Sequence, residues 1–263
     1  MIAFITDWGT DSYYVSSVKS VIKQINSKEE IIDISHNMSK FNILSYNHII
    51  YRVSKEFKEG TIVLAVIDPT VGSERKAILL ETKNPKYYFI APDNGILSMV
   101  SENYGIENII ELNNKKYHWG NSYTFHGRDI FGSCAGYLSK NIKKKYLGDS
   151  ISKIVKIDDK MPHLKDDILS AKIFYKDSFG NLETDIFKDY HSFFDKKYNY
   201  ELFIMDKKYK IIFRDFYNED DNQKLLMHFD SSNFLEISIN KKSASEFLKI
   251  NNYPTFIKIK KVF

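Results

Sequence analysis

A single cysteine, Cys134, in 263 residues leaves no partner for an intrachain disulfide and excludes a zinc site built from several thiolates. No apolar run approaches the ~18 residues of a membrane-spanning helix, so no membrane partner is expected. The opening, MIAFITD, runs directly into a strand-like segment with no basic stretch and cleavage site before it. It does not read as a secretory signal, and a cytoplasmic location is the economical expectation. Net charge is only +4, with lysines scattered among acids, unlike the concentrated basic stripe of a nucleic-acid binder. The seven histidines are dispersed without metal-ligand spacing, so no metal is expected. The chain also lacks G-x-G-x-x-G, G-x-x-x-x-G-K-[ST], H-E-x-x-H and G-x-S-x-G. Those absences withdraw support from a phosphate cradle, zinc hydrolysis and a serine nucleophile elbow.

What remains is a globular composition, 43% apolar and 27% charged, with length for one large or two ordinary domains. The first part alternates strand and helix signals. Ile2–Thr6 reads as a strand ending at Asp7, followed by the turn DWGTDS with N-cap candidates Asp11 and Ser12. Tyr14, Val18, Val21, Ile22 and Ile25 recur at helical spacing, as do Ile43, Tyr46, Ile50, Val53 and Phe57. Strands are predicted at 30–35, 61–67, 76–82 and 87–91, and a helix from about Arg128 to Lys140. This alternation predicts an α/β unit, a mainly parallel sheet with helices on both faces, over residues 1–155. From 165 to 263 the chain turns to short β-rich segments at 168–176, 209–216, 224–229, 234–240 and 255–262. These predict a smaller antiparallel β-barrel domain, reached through the lysine-rich stretch 140–167.

Ligands of open parallel sheets bind beyond the carboxyl ends of the strands. Asp7 and Asp68 both fall at such ends, and APDNG (91–95) and YTFHGRDIFG (123–132) supply two further rim segments. Taken singly, each residue has a plainer use. Asp68 could brace the turn at Pro69, Asp7 could cap the next helix, Arg75 could be a strand-edge charge, His126 a turn histidine, and Asp93-Asn94-Gly95 a tight turn. On the residues alone, the chain is an α/β ligand-binding protein with an Asp, Arg and His rim.

Taken together and in order, FITDWGT, VIDPTVGSER, APDNGIL, FHGRDIF and DSFGNLETDI resemble the S-adenosyl-L-methionine hydroxide adenosyltransferases, relatives of fluorinating and chlorinating enzymes that use the same substrate. The resemblance implies an α/β N-terminal domain followed by a β-barrel, and hydrolysis of S-adenosyl-L-methionine to adenosine and L-methionine without metal or organic cofactor. It implies that Asp68, Arg75 and His126 activate the water and that Asp7 holds the ribose hydroxyls. Phe41 falls where an aromatic packs on the nucleoside. Asp177, Phe179 and Asn181 match positions that bind the methionine end and the adenine surroundings. Ser231 and Ser232 fall at methionine and base contacts, and Asn240 and Lys241 where backbone meets adenine. It further implies a homotrimer whose sites lie between the N-terminal domain of one subunit and the C-terminal domain of its neighbour.

The chain departs from the family at Thr70, Glu183 and Asp185, and Asp11 stands one place early for the acid after the first turn. Two other readings accompany hydrolysis: halide alkylation by the same displacement, and a non-catalytic sensor of S-adenosyl-L-methionine or adenosine. Retention of all three water-activating residues argues against the sensor. Asp68 and the short KNPK connection after Thr82, where the fluorinating relatives carry a long insertion, argue against halide.

Overall fold

In the computed structural model, which describes residues 1–158, 162–219 and 224–262, the first unit spans Met1–Ile157 and the second Asp158–Phe263. The first unit contains strands β1 (Ile2–Thr6), β2 (Ile31–Ser35), β3 (Ile62–Val66), β4 (Ala77–Thr82), β5 (Tyr88–Pro92), β6 (Ile106–Glu111) and β7 (Asp149–Ser150). Its helices are α1 (Tyr14–Ile25), α2 (Ile43–Ser54), α3 (Ser98–Tyr104) and α4 (Ser133–Ser139), the last preceded by a π-helical turn, Gly127–Gly132. The sheet order is β2-β1-β3-β5-β4-β6-β7. The first four strands run parallel, while β4 lies antiparallel to both β5 and β6.

Every residue of β1 and β3 is buried, which is why both strands read as unbroken apolar runs. Ile2, Phe4, Ile62, Leu64 and Val66 pack with Val18 and Ile22 of α1 and with Phe131, Cys134 and Ala135 from the π turn and α4. Helix α2 is tied to α3 by the Asn47 side chain, which accepts from the Met99 N–H at 2.9 Å, and to β1 by Tyr46, whose hydroxyl donates to the Thr6 carbonyl. Helix α1 starts without a side-chain cap at Tyr13. Neither Asp11 nor Ser12 fills that role, and the Ser12 hydroxyl instead donates back to the Trp8 carbonyl.

The second unit contains β8 (His163–Lys165), β9 (Ile168–Lys176), β10 (Leu182–Phe187), β11 (Asn199–Ile204), β12 (Lys207–Phe213), β13 (Leu225–Phe229), β14 (Phe234–Ile239), the short helix α5 (Ala244–Leu248) and β15 (Thr255–Val262). Seven strands, in the order β10-β14-β13-β12-β11-β15-β9, close into a barrel through the β9–β10 pair, and β8 extends β9. Inward residues such as Leu169, Leu182, Leu202, Met227 and Ile237 fill its core. The barrel is mostly antiparallel, but β12 and β13 pair in parallel. The α/β sheet and the following barrel are the fold class expected from the sequence. The segments α3, β6, β10 and β11 were not foreseen, and the strand expected at 209–216 stops at Phe213.

Candidate active site

The site in the first unit begins with strand order. Thr6 of β1 lies opposite Val66 of β3 in the parallel register. Asp7 and Asp68 therefore leave the sheet at neighbouring carboxyl ends. Strand β4 runs the other way, with Ala77 opposite Pro92 at the end of β5, so its entry returns the chain to the same rim. That reversal explains how an acid carried out of the core at Asp68 meets an arginine seven residues later.

Arg75 Nε donates to both Asp68 oxygens, at 3.0 and 2.9 Å, and an Arg75 terminal nitrogen also donates to Asp68 Oδ2. The two side chains are only 8% and 6% exposed, so the pair is held away from bulk water. The same terminal nitrogen of Arg75 lies 2.8 Å from His126 Nδ1. Guanidinium carries donors only, so Nδ1 accepts and the proton of the neutral ring sits on Nε2. Burial, with the Arg75 charge second, holds His126 below its ordinary pKa, which favours that neutral ring at neutral pH. The Arg75 guanidinium also lies 5.1 Å from the centre of the Phe131 ring.

His126 is carried at the start of the π turn, an irregularity that recurs at functional sites. The turn is anchored by Asp129, which is buried and accepts from the Ser122 N–H and from Arg128 Nε. Gly127 is required by its neighbour: a Cβ there would come within 2.5 Å of the Trp8 ring. Trp8, Tyr14, Val66, Asp68, Val71, Thr124, Phe125, His126 and Gly127 line a cavity of ≈ 160 Å³. The rings of Trp8, Tyr14 and Phe125 meet edge to face, 5.1 to 6.1 Å apart. Asp7 does not line this cavity. It is buried beside it and accepts the Phe41 N–H at 2.8 Å, and burial raises its pKa above the ordinary carboxylate value. Phe41 adopts φ 61° and exposes 65% of its surface.

In the second unit, Asp177, Phe179, Asn181, Asn240 and Lys241 come together around a hollow of ≈ 820 Å³, joined by Phe216, Tyr217, Ile239, Lys242 and Ser243. Asp177 Oδ1 accepts the N–H groups of Phe179 and Asn181, and Oδ2 accepts Asn181 Nδ2 at 2.9 Å. Ser231 and Ser232 do not line this hollow. They sit in the β13–β14 turn, where Asp230 Oδ1 accepts the Ser232 N–H. Sequence reading missed Trp8, Phe125 and Tyr217. Tyr14 belongs to the helix its spacing predicts, is 40% exposed and lines the cavity. Among the described residues, no cluster of His, Cys, Asp or Glu could hold a metal ion, and no helix is long and apolar enough to cross a membrane.

An acid–arginine–histidine rim over a small aromatic cavity, with a mainly apolar hollow edged by Asp177 and Asn181 on a barrel, defines a two-unit α/β and β-barrel protein with candidate small-molecule sites. The models of the SAM hydroxide adenosyltransferase N-terminal and C-terminal domains match residues 2–148 and 171–255. The (R)-S-adenosyl-L-methionine hydrolase of Methanocaldococcus jannaschii is 35% identical, over 95% of this chain and 92% of its own length. A fluorinase of Actinoplanes sp. is 26% identical over 71% of each chain. The crystal structure of an uncharacterized conserved protein from Thermotoga maritima superposes with a TM-score of 0.93 at 36% identity, covering 99% of this chain and 100% of that one. The chain belongs to the SAM hydroxide adenosyltransferase family.

Proposed function

We propose that the protein hydrolyses S-adenosyl-L-methionine to adenosine and L-methionine by attack of an activated water on the ribose C5′ carbon. The names of its hydrolase relatives specify the (R) form, and the same form is the proposed substrate here. The observation that carries the reading is the linked Asp68–Arg75–His126 trio at the edge of the cavity.

Water has a pKa of about 15.7 and needs hydroxide character to displace a thioether. Asp68 has lone pairs beyond those engaged by Arg75 and accepts the proton of a water between it and His126. His126 donates from Nε2–H to the oxygen of that water, and Arg75 stabilises the negative charge that develops on it. Methionine leaves as a neutral thioether and needs no general acid. Asp7 accepts from the ribose hydroxyls, with Phe41, Asn240 and Lys241 about the nucleoside and Ser231 and Ser232 at the methionine and base contacts. Asp177, Phe179 and Asn181 bind the methionine end and the adenine surroundings.

Halide in place of water is disfavoured by Asp68 itself. A carboxylate about 4 Å from a halide repels it by on the order of 4 kcal/mol at an effective dielectric near 20. The assembly in this reading is a cytoplasmic homotrimer whose sites join the N-terminal unit of one subunit to the C-terminal unit of the next. Product analysis tests the function: purified protein incubated with S-adenosyl-L-methionine yields adenosine and methionine in equal amounts. A protein that binds S-adenosyl-L-methionine and leaves it intact would make the chain a sensor.

A further inference from the structure

The barrel hollow is connected to a buried acid that none of the functional assignments uses. Asn181 Nδ2 donates to Asp177 Oδ2 at 2.9 Å and approaches the Tyr217 hydroxyl at 3.4 Å. The Tyr217 hydroxyl in turn donates to Glu236 Oε1 at 2.7 Å. Glu236 projects from the outer side of the barrel, since its strand neighbours Leu235 and Ile237 fill the interior. It is nevertheless only 5% exposed, covered in part by Tyr217, whose ring meets the His228 ring edge to face at 4.5 Å.

These bonds fix directions. The Tyr217 hydrogen is committed to Glu236, so the hydroxyl oxygen is what it offers to Asn181. With both Nδ2 hydrogens engaged by Asp177 and Tyr217, the Asn181 amide has only its Oδ1 left for a ligand. An isolated asparagine could present either end of its amide, but this one is set to accept. We propose that Tyr217 and Glu236 are positioning residues that lock the Asn181 amide with its oxygen outward, ready to receive an N–H donor of the substrate such as its ammonium group. The inference rests on the reading of the barrel hollow as a substrate subsite.

The lock is strongest with Glu236 as a carboxylate, because the protonated acid is a weaker acceptor and can itself donate to the Tyr217 oxygen, which frees the Tyr217 hydrogen to turn elsewhere. Burial, reinforced by Asp177, Asp230 and Glu183, pushes Glu236 up to about 7. The groups facing it are Tyr217 from the short turn after β12, His228 from β13, Glu183 from β10, Asp177 after β9 and Asp230 from the β13–β14 turn. His228 Nε2 lies 3.4 Å from Glu236 Oε1, and burial keeps that ring below its ordinary pKa.

The test is the KM for S-adenosyl-L-methionine from pH 5.5 to 8.5 in the full-length protein and in Tyr217→Phe, Glu236→Gln and Asn181→Ala. The wild-type KM should rise as pH falls through about 7. At pH 8, Tyr217→Phe should raise it about three- to tenfold, the range of one lost hydrogen bond, with the loss falling on KM rather than kcat. Glu236→Gln is neutral, with an acceptor and a donor like the protonated acid, and should hold KM near the low-pH wild-type value with no variation across neutral pH. A Tyr217→Phe enzyme with wild-type KM and wild-type pH dependence overturns the proposal, provided Asn181→Ala raises KM. Should Asn181→Ala also leave KM unchanged, the subsite reading fails and the proposal falls with it.

Discussion

At the scale of single residues, Asp68, Arg75 and His126 form one unit whose proton positions are set by the guanidinium between the other two. Asp68→Ala and His126→Ala should keep substrate affinity within a few-fold while turnover falls by about 10² to 10⁴, the usual contribution of a positioned acid–base group. Calorimetric binding beside the rate measures both, and variants that turn over at wild-type speed would remove the water-activating role. The pH profile adds a second check. Protonating His126 Nδ1 would set a cation against Arg75 and break their bond, and burial has already lowered this pKa. The acid limb of kcat/KM should therefore lie below the ordinary histidine value of about 6.5, while an acid limb above that value would assign it to another group.

At the scale of elements, what was legible in the sequence was what local pattern controls. Strand β1, helix α1 and strand β3 were visible because buried strands are continuous runs and helices recur near every fourth residue. The direction of β4 was not visible. AILLET suits a parallel or an antiparallel neighbour equally, yet its reversal is what returns Arg75 to Asp68. Ser231 and Ser232 match a motif position, and the structure sets them in a turn organised by Asp230, outside the lining of the hollow. Tyr217 was hidden because it follows a strand that ends earlier than its apolar residues suggest. Strand β10 carries a testable cost. Asp185 is 9% exposed, and burial raises its pKa to about 6 from an ordinary 3.8. The folded state then holds a proton that the unfolded state has released, so stability is lost as pH rises between those values and stays lost above them. Asp185→Asn retains an acceptor for the Lys172 N–H and should stabilise the barrel by about 2 kcal/mol at pH 8 and by almost nothing at pH 3. Urea unfolding at the two pH values measures this, and a gain equal at both would assign the effect to packing.

At the scale of the whole molecule, the candidate groups are divided, with the Asp68–Arg75–His126 trio on the α/β unit and the Asp177–Asn181 hollow on the barrel. If complete sites form between subunits, mixing Asp68→Ala and Asp177→Ala chains should restore part of the activity that neither has alone. A monomer by light scattering with full activity would refute the shared site. The central claim is attack by water at C5′, and the isotope content of the product tests it most directly. In ¹⁸O-enriched water containing molar chloride, the account predicts adenosine as the sole nucleoside product, with the label in its 5′-hydroxyl. Unlabelled adenosine, or 5′-chloro-5′-deoxyadenosine in comparable yield, would contradict it.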